Sequence, residues 1–483
     1  MTIIATTSAL LAATAPGGEA ATAPPPQAPS SLSAPSPQAS LDEAAERASR
    51  PQAPSLDLDF RLGAWKFHGY LQYDGAAYHQ DAEGPPDSDF RRGGIGLGDP
   101  LRARNLNDGS YLRRARLGWE GTHGERIAYR AMFEFGDADE AGEARIAEVW
   151  ASYNWRPYSI RIGAFSPPTN MEGATSSDST LFLERATAAD LARSLGGGDG
   201  RIGVTVRRVA PGSMAAVSLT GPQLDSGEDY APRAAILGRY ARAYKWRSDY
   251  RLHFGVNGTL VLTPASQQDA GRPERFPVRF LSTPEIDVDD TPLIDTGEID
   301  ADQAQILGFE FAAQRKNFYL QAEAFLFGVS RHGPEPGDPR FSGFYVQGSW
   351  ILTGETRRFD QSLAAFSFPK PLAPIGGGGW GALEVAFRFS AMDLNDREGA
   401  AGQPTPAGGV RGGRQQILGA ALLWYPRPRV RLMANYLHVD VDRLNPSGLA
   451  DPDPFGPPPA TPPPGVQIGQ TFDILAVRFR YSF

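Results

Sequence analysis

The sequence predicts an all-β protein, a closed 16-stranded antiparallel transmembrane β-barrel, on three observations. Apolar and polar residues alternate with period two along segment after segment from Trp65 onward. No run of about 18 apolar residues occurs, so no helix is expected to cross a membrane. The chain also ends in an aromatic-rich alternating stretch whose last residue is Phe483. Alternation gives a strand one face for lipid and one for water, which keeps the mean hydropathy low, here −0.34.

Parity carries the assignment, because successive side chains of a strand point to opposite faces. In the last segment Leu475, Val477, Phe479, Tyr481 and Phe483 share one face, and Ala476, Arg478, Arg480 and Ser482 the other. Ile127, Tyr129, Ala131, Phe133 and Phe135 likewise oppose Arg126, Arg130 and Glu134. Val149, Ala151, Tyr153 and Trp155 oppose Glu148, Ser152 and Asn154, and Phe318, Leu320, Ala322, Ala324 and Leu326 oppose Gln321 and Glu323. Val430, Leu432, Ala434 and Tyr436 oppose Arg429, Arg431 and Asn435.

Sixteen such segments are expected, at 65–78, 110–121, 125–135, 144–155, 158–165, 201–209, 213–220, 232–243, 250–262, 303–314, 317–329, 341–353, 380–392, 414–425, 428–440 and 471–483. Most reach the roughly 9–11 residues that a tilted spanning strand needs. An even number returns both ends to one side of the membrane. Tyr and Trp near segment ends suit interfacial aromatic girdles.

The connections alternate in length. Thr122-His-Gly, Arg156-Pro157, Ala210-Pro-Gly, Arg315-Lys316 and Pro426-Arg427 are turns of two or three residues. Between them come long polar links at 79–109, 166–200, 263–302, 393–413 and 441–470. Short periplasmic turns and long external loops are the expected asymmetry of bacterial barrels. One link, 354–379, breaks the rule by being long on the periplasmic side.

Residues 1–15 read as a secretory signal, apolar to small and ending in Ala13-Thr14-Ala15, though without a basic n-region. Residues 16–60 read as an Ala/Pro-rich disordered tether, in which the charged run from Leu41 to Arg47 has the pattern of one or two helical turns. The barrel is expected over 61–483.

Cysteine is absent, which removes disulfides, thiol nucleophiles and thiolate metal sites. His68, His79, His123, His253, His332 and His438 form no i,i+4 pair, and no His-Glu-x-x-His run occurs, so neither a metal nor any other cofactor is expected. Asp287, Asp289, Asp290 and Asp295 lack the regular spacing of a calcium loop and read as solvated surface. Gly376-Gly-Gly-Gly379 and Gly196-Gly-Gly198 are not followed by the Lys-Ser/Thr helix start of a phosphate loop. The net charge of −8 argues against a general nucleic-acid binder.

Several stretches resemble the phosphate-selective porin O and P family of bacterial outer-membrane proteins. They are Leu112-Arg-Arg-Ala-Arg-Leu-Gly, Ile162-Gly-Ala-Phe-Ser-Pro-Pro, Ser176-Ser177 and Phe182-Leu-Glu-Arg-Ala. The longest are the run from Phe341 to Glu355 and the run from Trp424 to Arg443. The C-terminal Phe483 is similar to the assembly signal of outer-membrane barrels. The resemblance spans about residue 60 to 483. It implies a trimeric 16-stranded channel for anions such as phosphate, set among outer-membrane lipid and lipopolysaccharide, with the third external loop folded inward. The family usually reads Gly-x-Phe-Lys-x-Pro where this chain has Gly163-Ala-Phe165-Ser166-Pro-Pro, so the loop-entrance lysine is absent.

Parity places Arg114, Arg116, Arg130, Arg161, Arg207, Arg239, Arg251, Arg388, Arg431, Arg478 and Arg480 on the lumen face, against fewer acids: Glu120, Glu134, Glu148, Glu310, Glu323 and Glu384. An excess of guanidinium groups in a narrow pore favours entry of anions over cations. Arg185, beside Glu184 in the presumed constriction loop, is the leading single candidate, and Arg279 in the long 263–302 link is a further one. Each of these arginines has an alternative role as a wall charge paired with a neighbouring acid.

Four readings follow: a channel selective for phosphate or other small anions, a general porin with slight charge preference, a barrel enzyme such as a lipase, and a structural barrel. No serine motif stands near any histidine, so an enzyme is not expected.

Overall fold

The computed structural model describes residues 64–81, 105–136, 144–224, 232–247, 249–267, 274–333, 336–446 and 463–483. The chain divides into Met1–Ser55 and Leu56–Phe483; the signal and tether expected over 1–60 lie outside the described residues.

Sixteen long strands form the barrel. They are β1 (Ala64–Gln80), β2 (Gly109–His123), β3 (Ile127–Glu134), β4 (Arg145–Trp155), β5 (Tyr158–Phe165), β6 (Arg201–Ala210), β7 (Ser213–Gln223) and β8 (Ala234–Arg247), followed by β9 (Tyr250–Thr263), β10 (Ile299–Arg315), β11 (Phe318–Arg331), β12 (Arg340–Ile351), β13 (Ala382–Asp396), β14 (Val410–Arg427), β15 (Val430–Asp442) and β16 (Thr471–Ser482). Each matches one of the sixteen segments expected from parity, with ends shifted by a few residues.

Every strand pairs antiparallel with the next in sequence. The sheet then closes on itself: β16 pairs β1 from Tyr70↔Ser482 to Gln80↔Phe472. At the end of this seam the Phe483 and Gly69 amides donate to each other's carbonyls at 3.0 and 3.3 Å. Closure leaves no sheet edge, which a lipid environment demands.

The parity reading holds at the surface. Val217, Leu326, Leu475 and Val477 are more than half exposed on the outer wall, whereas Ala216, Phe325, Ile474 and Ala476 beside them are buried inside. Aromatic rings gather at the periplasmic end, among them Trp65 against Tyr129 at 5.1 Å and Phe318 against Trp350 at 5.5 Å.

The core lies within the lumen, where three inserted segments fill much of the barrel. Residues 166–200 carry two helices, α1 (Met171–Ala174) and α2 (Thr187–Ser194). The loop between β9 and β10 forms a short hairpin, Leu281–Ser282 with Ile294–Asp295, and buries Phe280 against Phe327 and Phe341. The long periplasmic link between β12 and β13 also turns inward. Its hairpin, Arg358–Asp360 with Ala365–Ser367, packs Phe366 on Tyr319 of the wall at 4.7 Å.

Val217 stands near the middle of β7 on the lipid face. Val217→Arg is expected to cost about 2–4 kcal/mol of folding free energy. Urea unfolding of the refolded barrel in vesicles measures it, and a cost under about 1 kcal/mol would remove Val217 from the lipid-facing set.

Candidate functional site

The third external loop crosses the lumen and is riveted to the β11–β16 half of the wall. The Met171 and Glu172 amides that open α1 donate to the Glu323 carboxylate at 2.8 and 2.9 Å. Glu172 in turn accepts from Arg388, Gln321 and Gln347. The Thr187 amide of α2 donates to Glu285, and Glu285 also accepts from Arg388 at 3.0 Å. Leu183 is held through its amide by Asn435 and through its carbonyl by Arg478. All these side chains are buried.

The loop therefore leaves open the half of the lumen bounded by β1–β6 and the end of β16. There lies a cavity of about 510 Å³. Its lining includes eight arginines (Arg114, Arg116, Arg130, Arg161, Arg185, Arg193, Arg207 and Arg480) against three carboxylates, Glu148, Asp178 and Asp199. Hydroxyls of Ser166, Thr175, Ser176 and Ser177 complete the loop side.

How each guanidinium is held separates structural from available charge. Arg114, Arg116 and Arg193 all donate to one carboxylate, Asp199, the first two at 3.3 and 2.8 Å. Burial alone would raise the Asp199 pKa, but Arg193, Arg116 and Arg114 outweigh it and hold the carboxyl well below the ordinary range. Arg130 bridges Glu120 and Glu148 at 3.4 and 3.3 Å. Arg480 lies 3.8 Å over the Tyr70 ring, with Asp178 also 3.8 Å away.

Arg161, Arg185 and Arg207 differ. Among the described residues none of the three has a carboxylate within ion-pair distance. Arg161 stacks over Trp150 at 3.8 Å. Arg185 donates to the Glu172 and Thr175 carbonyls, and Arg207 to the Ser362 carbonyl. Burial, with Arg193 nearby, lowers the Arg185 pKa.

Of the thirteen arginines expected at the pore, seven line this cavity: Arg114, Arg116, Arg130, Arg161, Arg185, Arg207 and Arg480. Six stand elsewhere, Arg388 among them in its pairs with Glu172 and Glu285. Arg239 is fully buried against Glu310 and donates to the Leu363 and Ala364 carbonyls, clamping the inserted periplasmic link. Arg251 covers the Phe359 ring at 4.4 Å. Arg279 forks onto Asp295 within its own loop, both contacts at 2.8 Å. Arg431 donates to the Asp178 and Thr180 carbonyls. Arg478 joins Asp74 of β1 to Glu184 of the loop.

Parity missed Arg113. At β2 the pairing with β1 slips between Gln72 and Asp74, so β2 carries one extra residue. Such a bulge breaks the alternation: Arg113 and Arg114 both reach loops inside the lumen, Arg113 donating to Glu184 at 3.1 Å and to Asp287 at 2.8 Å. An Arg-Arg pair inside a spanning strand was the available signal. Arg193 and Asp199 were missed because no strand parity covers a loop. Glu184, held by Arg113 and Arg478, anchors the loop to the wall; burial raises its pKa, but those two guanidiniums bring it far below the usual value. The acids 287, 289 and 295 take separate partners: Arg113, the Asn107 amide, and Arg279 with Arg443.

A closed barrel with a loop-narrowed, arginine-lined lumen defines an outer-membrane channel. The family model "phosphate-selective porin O and P" matches residues 98–453, and the chain belongs to that family. It is 27% identical over 440 residues to an uncharacterized protein of Caulobacter vibrioides, covering 89% of this chain and 81% of that one. It is 25% identical over 366 residues to Porin O of Pseudomonas aeruginosa, covering 73% and 81%. Among solved structures it is similar to an anion-selective porin from Comamonas acidovorans, with TM-score 0.49 and 12% identity over 87% of this chain and 99% of that one.

Burial pushes the Asp287 carboxyl up to about 6, helped by Glu184 and opposed by Arg113. A raised folded value means the ionised carboxylate destabilises the fold: its contribution worsens from about pH 4 to 6 and is constant above. Infrared difference spectra of the protein against Asp287→Asn are expected to show a carboxyl titrating near pH 6. A midpoint at or below 4 would contradict this environment.

Proposed function

We propose that the channel passes small anions, phosphate or phosphate-like solutes among them, selected by lumenal arginines. One observation carries the reading: Arg161, Arg185 and Arg207 line the cavity and are held by an aromatic face or by backbone carbonyls rather than by acids. Their charge stays available to a solute, and guanidinium forks suit oxyanions. The sites are several and separate, which suits conduction, since a permeant ion must bind and also leave. The family resemblance further supports a homotrimer, which native mass spectrometry of the detergent-solubilised protein tests.

One observation favours a broader anion preference over a phosphate-specific one. Ser166 stands where the family usually has lysine, and Asp199, linked to it through Arg193, occupies three guanidiniums.

In planar bilayers under a KCl gradient the reversal potential is expected to show chloride preference, with phosphate reducing the chloride current. Arg185→Gln removes one unit charge. At about 8 Å and an effective dielectric of ~20–80 that charge is worth ~0.5–2 kcal/mol to each ion, with opposite sign for Cl⁻ and K⁺, so the Cl⁻/K⁺ permeability ratio should fall by roughly fivefold or more. Chloride preference without phosphate block would keep anion selection and reject phosphate. Cation preference would reject the arginine reading.

A further inference from the structure

Three arginines point out of the barrel near its periplasmic rim: Arg208 on β6, Arg242 on β8 and Arg315 on β10. They share parity with Val206, Tyr240 and Phe309, which are exposed on the outer wall. All three are themselves exposed. Among the described residues no carboxylate lies within ion-pair distance of any of them. Arg242 lies over Tyr244 at 4.9 Å and Arg315 over Tyr250 at 5.0 Å, while Arg208 is the cross-strand partner of Tyr158. Two other arginines at this rim are engaged: Arg126 donates to the Tyr153 hydroxyl and Arg427 to the Ile375 carbonyl.

The register puts the three near one level. Arg208 pairs with Ala215, which pairs with Tyr240, so Arg242 lies two residues further along its strand. Arg242 pairs with Phe254, which pairs with Phe311, so Arg315 lies four residues further along. Strands tilted by ~35–45° and ~4.8 Å apart keep constant height by advancing about two to three residues for every two strands crossed. Both advances run in the same sense. By these spacings the three arginines form a row, their Cα atoms about 12 and 16 Å apart, set among Tyr240, Tyr244, Trp246 and Phe254.

An unpaired guanidinium facing lipid is tolerated where it reaches the headgroups, and the surrounding tyrosines mark that depth. The rim is periplasmic, so the headgroups it meets are phospholipid. We propose that the β6–β10 face is a docking surface for anionic phospholipid, Arg208, Arg242 and Arg315 each taking a headgroup phosphate. Charge complementarity selects this occupant: three cations without acids oppose a second copy of the same face, and a zwitterionic headgroup offers no net charge to them.

Native mass spectrometry of the full-length protein, exchanged into micelles containing phosphatidylglycerol or phosphatidylcholine, tests this. The wild type is expected to retain phosphatidylglycerol in preference. The Arg208→Gln/Arg242→Gln/Arg315→Gln variant should lose that retention by about tenfold or more, with unchanged single-channel conductance. Inorganic phosphate should not displace the bound lipid. If the triple variant does not assemble, Arg242→Gln alone should still lower retention, whereas Arg242→Lys should keep most of it. Equal retention of the two lipids by the wild type, or of phosphatidylglycerol by wild type and glutamine variants, would overturn the proposal. So would a change of oligomeric state in the triple variant, which would mark the face as a subunit interface.

Discussion

A backbone crossing a bilayer cannot leave peptide groups without partners, and in this protein that requirement is met at one seam. β16 must find β1, separated from it by nearly the whole barrel, before the sheet loses its edges. Gly69 at the end of the seam leaves no room for a side chain: an added Cβ would meet the Arg116 carbonyl at 2.5 Å and the Phe483 ring at 2.7 Å. Once the sheet is closed, each side chain has only two destinations, lipid or lumen. The fate of every arginine in the molecule descends from that division.

The lumen of sixteen strands is too wide for wall side chains alone to fill. Three segments enter it, and buried charge holds them. Arg388 with Glu172 and Glu285, and Arg357 with Glu384, join inserted segments to the wall, while Arg239, paired with Glu310 of the wall, donates to the Leu363 and Ala364 carbonyls of the inserted link. Desolvating such groups costs several kcal/mol per ion, so these pairs add little net stability. Removing one partner is another matter, because it strands a buried charge at about 3–5 kcal/mol. The pairs act by making other placements of the loops expensive, which fixes the shape of the passage.

Strand number, parity and turn lengths were legible in the sequence because each follows from a local rule. Phe479 and Arg480 face opposite ways whatever surrounds them. The seam with β1 was signalled by the terminal aromatic stretch. Two kinds of information were not local. Arg113 faces the lumen only because β2 holds an extra residue against β1, a fact belonging to the pair and not to either strand. Arg431 and Arg478 have lumen parity, as expected, yet the loop takes them: Arg431 binds the Asp178 and Thr180 carbonyls, Arg478 the Leu183 carbonyl and Glu184. Parity gives the direction of a side chain. What waits at the end of that direction is decided by the loops, and their path has no period to read.

This bears on how arginine serves two purposes in one lumen. The side chain offers five N–H donors around a charge that stays on at any physiological pH. Facing a carboxylate, it becomes a neutral strut, as with Arg239 and Glu310. Facing backbone carbonyls or an aromatic ring, it is fixed in place without being neutralised, as with Arg185 and Arg161. Selectivity therefore depends less on how many arginines face the lumen than on what orients them. Asp199 shows the intermediate case: it is shared by three guanidiniums, and even with Glu134 on Arg116 the cluster keeps an excess of positive charge that is positioned but only partly screened. A lysine, with a flexible stem and a compact charge, would need an acid to be held as firmly, and the acid would cancel it. A chain with only four lysines among 47 basic residues can stiffen its passage with the same residue that leaves the passage charged.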